Sequence, residues 1–105
     1  METVLTLAEI LRTALSKGAV GFTFRSGLHP VIYSAIGVQT CGTQPSNLEA
    51  IDELLQQLMS SRERRQLRDT GVACFWCNIG KSHSFLGKAK IEGEELRLDL
   101  RKMAR

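Results

Sequence analysis

Residues 72–101, VACFWCNIGKSHSFLGKAKIEGEELRLDLR, are the stretch that decides the fold. Apolar and polar residues alternate along most of it, and a period of two residues is typical of strands with one buried and one solvated face. The alternation predicts three strands, from Val72 to Ile79, from Ser84 to Ile91 and from Glu95 to Arg101. Because short connections join only neighbouring antiparallel strands, we expect these strands to form a meander.

The residues before this meander predict a helix and three further extended segments. Thr6 and Glu9 have the spacing of an N-terminal capping box, and apolar residues then recur at helical spacing. From Gly21 the period changes to two, Pro30 opens a second extended segment, and Gly37 marks a reversal into a third. The N-terminal part is therefore expected to contribute one helix and three strands.

A second amphipathic helix is predicted between the two groups of strands. Ser46 and Glu49 have capping-box spacing and precede a run of regularly spaced leucines. Ser60 and Glu63 repeat that spacing, so we expect the helix to break there and to restart as a short basic turn ending at Gly71. The predicted order is α-β-β-β-α-β-β-β, an α+β domain with two main helices and an antiparallel sheet of about five to six strands.

Length and composition limit the classes of protein to consider. The chain has 105 residues, of which 43% are hydrophobic and 24% charged, which is typical of one globular domain. It contains no apolar run of about 20 residues, as a membrane span requires, and no phosphate-binding Gly-x-x-x-x-Gly-Lys-Ser/Thr string. The first residues, METVL, lack the segments of a secretory signal, so we expect a cytoplasmic protein with reduced cysteines.

The basic residues gather in two clusters. Lys and Arg number 14 against 11 Asp and Glu, and this net charge of +3 is too modest to indicate a dedicated nucleic-acid-binding protein. We therefore expect no nucleic-acid partner. Solvated surface charge is one interpretation of the clusters, and a protein-interaction surface is the other; the residues concerned are Arg62, Arg64, Arg65, Arg68, Arg97, Arg101, Lys102 and Arg105.

The Cys-x-x-Cys string at Cys74 and Cys77 raises the possibility of a zinc site, with His83, Cys41 and His29 elsewhere in the chain. Zinc knuckles chelate from a tight turn, whereas residues three apart in a strand point to opposite faces. A thioredoxin-type redox pair would open a helix after a strand, which is not the pattern here. The pattern therefore favours two buried, metal-free cysteines, and a zinc-binding module through Cys74 and Cys77 is a third, weaker functional alternative.

No catalytic set is recognisable in the sequence. Neither histidine is spaced from a serine or cysteine as known nucleophile motifs require, so both are expected to be solvated side chains beside turns. Aromatic residues interleaved with basic ones can also form a stacking platform for single-stranded RNA. Core packing is the favoured interpretation of the aromatic residues considered, which are Phe22, Phe24, Phe75, Trp76 and Phe85.

The order of motifs along the whole chain resembles a known family. Residues 11–19 (LRTALSKGA), the extended residues 22–24 and the loop residues 26–30 (SGLHP) resemble the start of the N-terminal domain of type IV pilus retraction ATPases (PilT, twitching motility) and of related type II secretion ATPases. A glycine-closed hairpin, a helix over residues 48–67 and a last strand rich in Leu and Arg come next, in the family's order. The resemblance covers nearly all of the chain.

This resemblance implies a PAS-like fold and a single domain, residues 1–105, without the motor domain. In that family the N-terminal domain does not hydrolyse ATP, and it packs between the subunits of a hexameric ring. The implied function is a non-catalytic assembly or interaction domain, with no catalytic residues, cofactor, metal or membrane insertion, that binds a protein partner or itself. The alternative is a small PAS-like sensor that binds an apolar ligand in a cavity among Phe22, Phe24, Trp76 and Leu98.

Overall fold

A computed structural model of the chain describes residues 6–40, 46–79 and 83–103. It contains three helices and six strands, in the order α1 (Leu7–Ser16), β1 (Ala19–Arg25), β2 (Val31–Ser34), β3 (Gly37–Thr40), α2 (Leu48–Leu58), α3 (Ser61–Thr70), β4 (Val72–Ile79), β5 (His83–Glu92) and β6 (Glu95–Lys102). The α+β class, the number of strands and their order are as predicted. None of the helices in the described part of the chain is long and apolar enough to cross a membrane.

The six strands form one antiparallel sheet in the order β3-β2-β1-β6-β5-β4. Each half of the chain supplies a three-stranded meander, and the pairing of β1 with β6 joins the two. In that central pair Phe22 lies opposite Leu100 and Phe24 opposite Leu98. All four side chains are buried, so the junction between the meanders is also the centre of the core.

The three helices pack on one face of the sheet. Leu11 of α1, Ile51 of α2 and Leu67 of α3 belong to a single buried cluster with alternate residues of the central strands and of β4 and β5. The four phenylalanines, Phe22, Phe24, Phe75 and Phe85, are all buried in this cluster, which confirms the core-packing prediction for them. The molecule thus has two layers, one of helices and one of strands.

The second helix begins one residue later than the capping pattern predicts. Asn47 is its N-cap, with the Asn47 Oδ1 accepting a hydrogen bond from the Ala50 backbone N–H at 2.7 Å. The predicted capping box of Ser46 with Glu49 is therefore wrong. Ser46 is buried, and its backbone N–H donates to the carbonyl of Leu28 at 2.8 Å, so it ties the preceding chain to the loop after β1 instead of capping the helix.

The break at Ser60 is confirmed, but the segment after it is a ten-residue helix rather than a short turn. Met59 is extended, and both bonds of the capping box form: Ser60 Oγ accepts from the Glu63 N–H at 3.2 Å, and Glu63 Oε1 accepts from the Ser60 N–H at 2.9 Å. The helix ends at Gly71, whose φ of 80° lies in the left-handed region that glycine adopts without strain.

Candidate functional site on the open face of the sheet

The sheet has a second face, opposite the helices, on which no helix or strand of residues 6–40, 46–79 and 83–103 packs; we call it the open face. Cross-strand pairing places one residue of each strand in a continuous line across it. This cross-strand row consists, from β3 to β4, of Val38, Tyr33, Gly21, Arg101, Leu86 and Trp76. Trp76 and Val38 are each 64% exposed, Tyr33 37% and Leu86 36%.

A cleft of about 620 Å³ opens in the middle of the cross-strand row. A Cβ atom at Gly21 would be 3.5 Å from Cδ2 of Tyr33 and 3.2 Å from the carbonyl oxygen of Leu100. The Tyr33 ring therefore lies within ordinary van der Waals range of position 21, and the closer group, which a side chain there would crowd, is the Leu100 carbonyl. Leu86 and Lys88 contribute to the opposite wall, so the cleft combines an aromatic ring, an aliphatic side chain and a cation.

A chain of hydrogen bonds fixes the floor of this cleft. Thr23 Oγ1 donates to Asp99 Oδ1 at 2.7 Å and lies 3.2 Å from the hydroxyl oxygen of Tyr33. On the other side of the carboxylate, Arg97 Nε donates to Asp99 Oδ2 at 2.8 Å. The hydrogen bond and the negative charge of Asp99 raise the pKa of Arg97 above its ordinary value. Four side chains from β2, β1 and β6 thus hold one another in position.

The open face carries a surplus of positive charge. Three of its cations are in ion pairs with carboxylates at 2.8 to 3.3 Å, namely Arg25 with Glu95, Lys90 with Glu92, and Arg97 with Asp99. These exposed pairs contribute little to stability individually, but they neutralise the charges involved. Lys88 and Arg101 form no ion pair within the described residues, and both line the cleft. The cleft is therefore electropositive.

The structure places the two predicted basic clusters on different layers. Arg97 and Arg101 lie on the open face, and exposed Lys102 follows at the end of β6. The other cluster lies on α3 in the helix layer, where Arg62, Arg65 and Arg68 are exposed and Arg64 is half-buried. Arg105 lies outside the described residues. The eight basic residues therefore do not form one continuous surface.

The Cys-x-x-Cys pair is divided between the two faces of β4. Cys77 is buried on the helix side as predicted, but the prediction that both cysteines are buried is wrong for Cys74, which the alternation of β4 exposes on the open face. Burial, and then the negative charge of Glu63, raise the pKa of the Cys77 thiol from 9.0 to about 11. The two sulfurs point away from each other, so they cannot bind one zinc ion together. No group of three or more metal-ligating side chains occurs in the part of the chain that the structure describes.

The remaining candidates do not assemble into a site. Cys41 lies outside the described residues, His29 is exposed in the loop before β2, and His83 is half-buried at the start of β5. The expectation that both histidines are solvated is thus met fully by His29 and only partly by His83.

Trp76 is the functional candidate that sequence reasoning places wrongly. Its aromatic character predicts a core position with the phenylalanines, but it is exposed on the open face beside Leu86. The alternation of β4, which puts Trp76 on the same face as Cys74, is the signal that identifies its position. The sensor alternative requires a cavity lined by Trp76 together with Phe22, Phe24 and Leu98. These last three residues are buried on the helix side, so they cannot line one cavity with Trp76.

Comparison with known proteins gives matches at the level of structure alone. No family model matches the sequence, and no curated protein matches it. The pilus retraction motor PilT with bound ADP superposes with a TM-score of 0.78 at 19% identity, covering 95% of this chain and 29% of that one. The ATPase DotB of Legionella pneumophila superposes with a TM-score of 0.77 at 14% identity, covering 98% of this chain and 30% of that one.

DotB of Yersinia pseudotuberculosis gives a TM-score of 0.67 at 13% identity, with 92% of this chain and 29% of that one covered. The chain thus spans less than a third of the length of each of these proteins. These superpositions confirm the resemblance at the level of the fold, and the chain has the fold of the N-terminal domain of pilus retraction and secretion ATPases.

Proposed function

We propose that this chain is a non-catalytic assembly domain that binds a protein through the open face of its sheet, as the N-terminal part of a type IV pilus or type II secretion motor would. We further propose that residues 1–105 form one such domain and carry no motor domain. The observation that supports the proposal is the cross-strand row, which exposes aromatic, aliphatic and cationic side chains on a face of the sheet that no described helix or strand covers.

The composition of the row favours a protein as the partner. Trp, Tyr and Arg are the residues that contribute most often to binding energy at protein interfaces, and Trp76, Tyr33 and Arg101 all belong to the row. Six strands spaced about 4.8 Å apart give the row a length of roughly 24 Å. A patch of that length suits an interface of standard size, about 800 Å² on each partner.

The chemistry of the cleft supports binding rather than catalysis. Asp99, the carboxylate on its floor, already accepts hydrogen bonds from Thr23 and Arg97. Neither His29 nor His83 lines the cleft. Lys88 and Arg101 are placed to attract negative charge, so we expect the partner surface to be acidic around an apolar centre.

The test is a binding measurement between purified proteins. The chain is titrated against itself and against the motor domain of a pilus retraction ATPase, with mass determined by light scattering. We expect a complex in one of these mixtures, and its loss in Arg101→Glu and Leu86→Glu. Gln57→Glu, an exposed change on α2 in the helix layer, is the matched control and should bind normally.

Two outcomes would contradict the proposal. One is a chain that stays monomeric at high concentration and binds no motor domain. The other is a complex that survives both open-face substitutions and is lost in the Gln57→Glu control, since the helix layer would then be the interface. Hydrolysis of ATP by the purified chain alone would refute the non-catalytic part separately.

A further inference from the structure

Strand β4 is an edge of the sheet, and its ladder shows which backbone groups face outward. The N–H of Ile91 donates to the carbonyl of Gly71 at 2.8 Å, one residue beyond the pairing of Val72 with Lys90. Gly71 and Ile91 therefore occupy a hydrogen-bonded position of the ladder, even though the Gly71 N–H itself donates to Leu67. Hydrogen-bonded pairs recur at every second residue of an antiparallel ladder. Residues 73, 75, 77 and 79 therefore bond to β5, while Cys74, Trp76 and Asn78 turn their backbone N–H and C=O groups away from it.

The Thr70 side chain contacts the outward backbone groups of Val72, the first residue of this edge strand. Its hydroxyl accepts a hydrogen bond from the Val72 N–H at 3.4 Å, and the single hydroxyl proton is shared between the carbonyls of Gln66 at 2.7 Å and Val72 at 2.9 Å. A side chain thus occupies the position at Val72 where a neighbouring strand would otherwise pair. Beyond Val72, no strand of the described residues pairs with this side of β4. Among residues 6–40, 46–79 and 83–103, no group forms a hydrogen bond with the outward backbone groups of Cys74, Trp76 and Asn78, so these groups are placed to bind another chain.

The edge also lacks the features that usually prevent strand addition. Natural edge strands carry charged residues, proline or bulges that block a further strand. The sequence of β4, VACFWCNI, has no charge, no proline and no glycine, and its pairing with β5 runs through eight consecutive residues without a bulge. An edge this long and regular is suited to accepting an extended segment by backbone hydrogen bonding.

The charge of α3 determines which segment fits. This helix packs mainly on β4, and it carries Arg62, Arg64, Arg65 and Arg68 against Glu63 and Asp69. If two copies of the chain paired through β4, their α3 helices would lie side by side on the same face with like net charge. That arrangement is repulsive, whereas an acidic segment would be attracted.

We propose that β4 accepts an extended segment of a partner protein in which acidic residues, facing α3, alternate with apolar residues that lie beside Trp76 on the open face. The alternation follows from the pleat, which sends successive side chains of the added strand to opposite faces. This inference rests on the proposed function as an interaction domain, and it adds a second contact with a partner of stated chemistry.

The fluorescence of Trp76, the only tryptophan in the chain, makes the proposal testable. The probe is a capped eight-residue peptide of alternating Glu and Val, compared with its Lys and Val counterpart. We expect the acidic peptide to shift the emission saturably and to bind about tenfold more tightly than the basic one at low salt. Exchanging Arg62 and Arg65 for Glu in one double variant should reverse this preference.

A variant that lacks one backbone N–H tests directly whether the peptide pairs with β4 as an added strand. Cys74→Pro removes an outward N–H without removing a bond to β5, so we expect it to abolish peptide binding. Cys74→Ser keeps the N–H and is the matched control. If Cys74→Pro fails to fold, acidic peptides that are N-methylated on alternate residues give the same test on the natural protein. Methylation of the amides that point towards β4 should block binding, and methylation of the amides that point away from β4 should leave binding intact.

The outcomes that overturn the inference are distinct. Equal binding of the acidic and basic peptides would contradict the attraction of acidic residues by α3. Full binding by Cys74→Pro would contradict pairing through the backbone of β4. A dimer of the chain that is lost in Cys74→Pro would instead place a second copy at this edge. Because Arg101 lies two strands away from β4, Arg101→Glu should leave peptide binding intact at physiological salt, where the Debye length is about 8 Å, so the edge and the open-face interface can fail independently.

Discussion

The ring of Phe75 on β4 occupies the space that a side chain would need at Gly87 on β5, its cross-strand partner. A Cβ atom at position 87 would lie 2.6 Å from Cε2 and 2.8 Å from Cε1 of that ring. Both residues are on the helix side, where the ring is 2% exposed. The buried position of the Phe75 ring over β5 therefore depends on glycine at position 87.

Gly87→Ala should destabilise the domain by about 1–3 kcal/mol, because the buried ring has to move from its packed position. The measurement is the free energy of unfolding in urea. Phe75→Leu in the same chain makes room for the new methyl group, so the double variant should lose less than the sum of the two single losses. Simple additivity would show that the ring and position 87 do not interact.

Thr23→Val should cost roughly 1 kcal/mol, since it leaves one oxygen of Asp99 without its buried hydroxyl donor. The substitution conserves shape, so the loss reports on the hydrogen bond rather than on packing. Thr40→Val on exposed β3 is the control and should change stability by less than about 0.5 kcal/mol. Equal effects at both positions would mean that the Tyr33–Thr23–Asp99–Arg97 chain does not stabilise the sheet.

Stability should fall as the pH rises from 9 towards 11 because of Cys77. The unfolded thiol ionises near its ordinary pKa of 9.0, whereas the folded thiol has a pKa of about 11. In that interval the unfolded state releases a proton that the folded state keeps, which favours unfolding. Urea unfolding across this range should show a shallower decline in Cys77→Ala, and an identical slope would contradict the raised pKa.

Alkylation should distinguish the same two cysteines. In a Cys41→Ser background, iodoacetamide at pH 8 should modify exposed Cys74 well before buried Cys77, because the thiolate is the reactive form and burial disfavours it. Mass spectrometry of digested protein gives the two rates. Comparable rates in the folded protein would place Cys77 nearer to solvent than its environment indicates.

Ser60→Ala should destabilise the chain by about 1 kcal/mol, since it leaves the first turn of α3 without its side-chain acceptor. Ser61→Ala, one residue later and exposed, is the matched control and should have little effect on the urea midpoint. A similar loss in both variants would contradict the role of the capping box in starting a separate helix.

Local patterns in the sequence are sufficient for the strands and for most helix ends. The alternation over residues 72–101 predicts β4, β5 and β6 to within one residue at each end, and the Ser60–Glu63 spacing predicts the break between α2 and α3. The capping pattern misassigns Ser46 because its backbone bonds to Leu28, a contact 18 positions away that no local pattern contains.

The candidate site is less accessible to sequence reasoning. Alternation shows that Cys74 and Trp76 share a face of β4, but it does not show which face the helices cover. Hydrophobicity alone then assigns Trp76 to the core, although the tertiary arrangement exposes it. The sequence likewise cannot separate the two basic clusters into two layers, because that separation depends on how α3 packs on the sheet.

The central pairing of β1 with β6 has a consequence for the order in which the protein can be completed during synthesis. Residue 21 lies opposite residue 101, so the middle of the sheet joins the first of the six described strands to leave the ribosome to the last of the six. Contacts so distant in sequence form late and slow folding. Until β6 has left the ribosome, β1 and β5 each keep an unpaired edge, which is a surface on which a strand of another chain can pair.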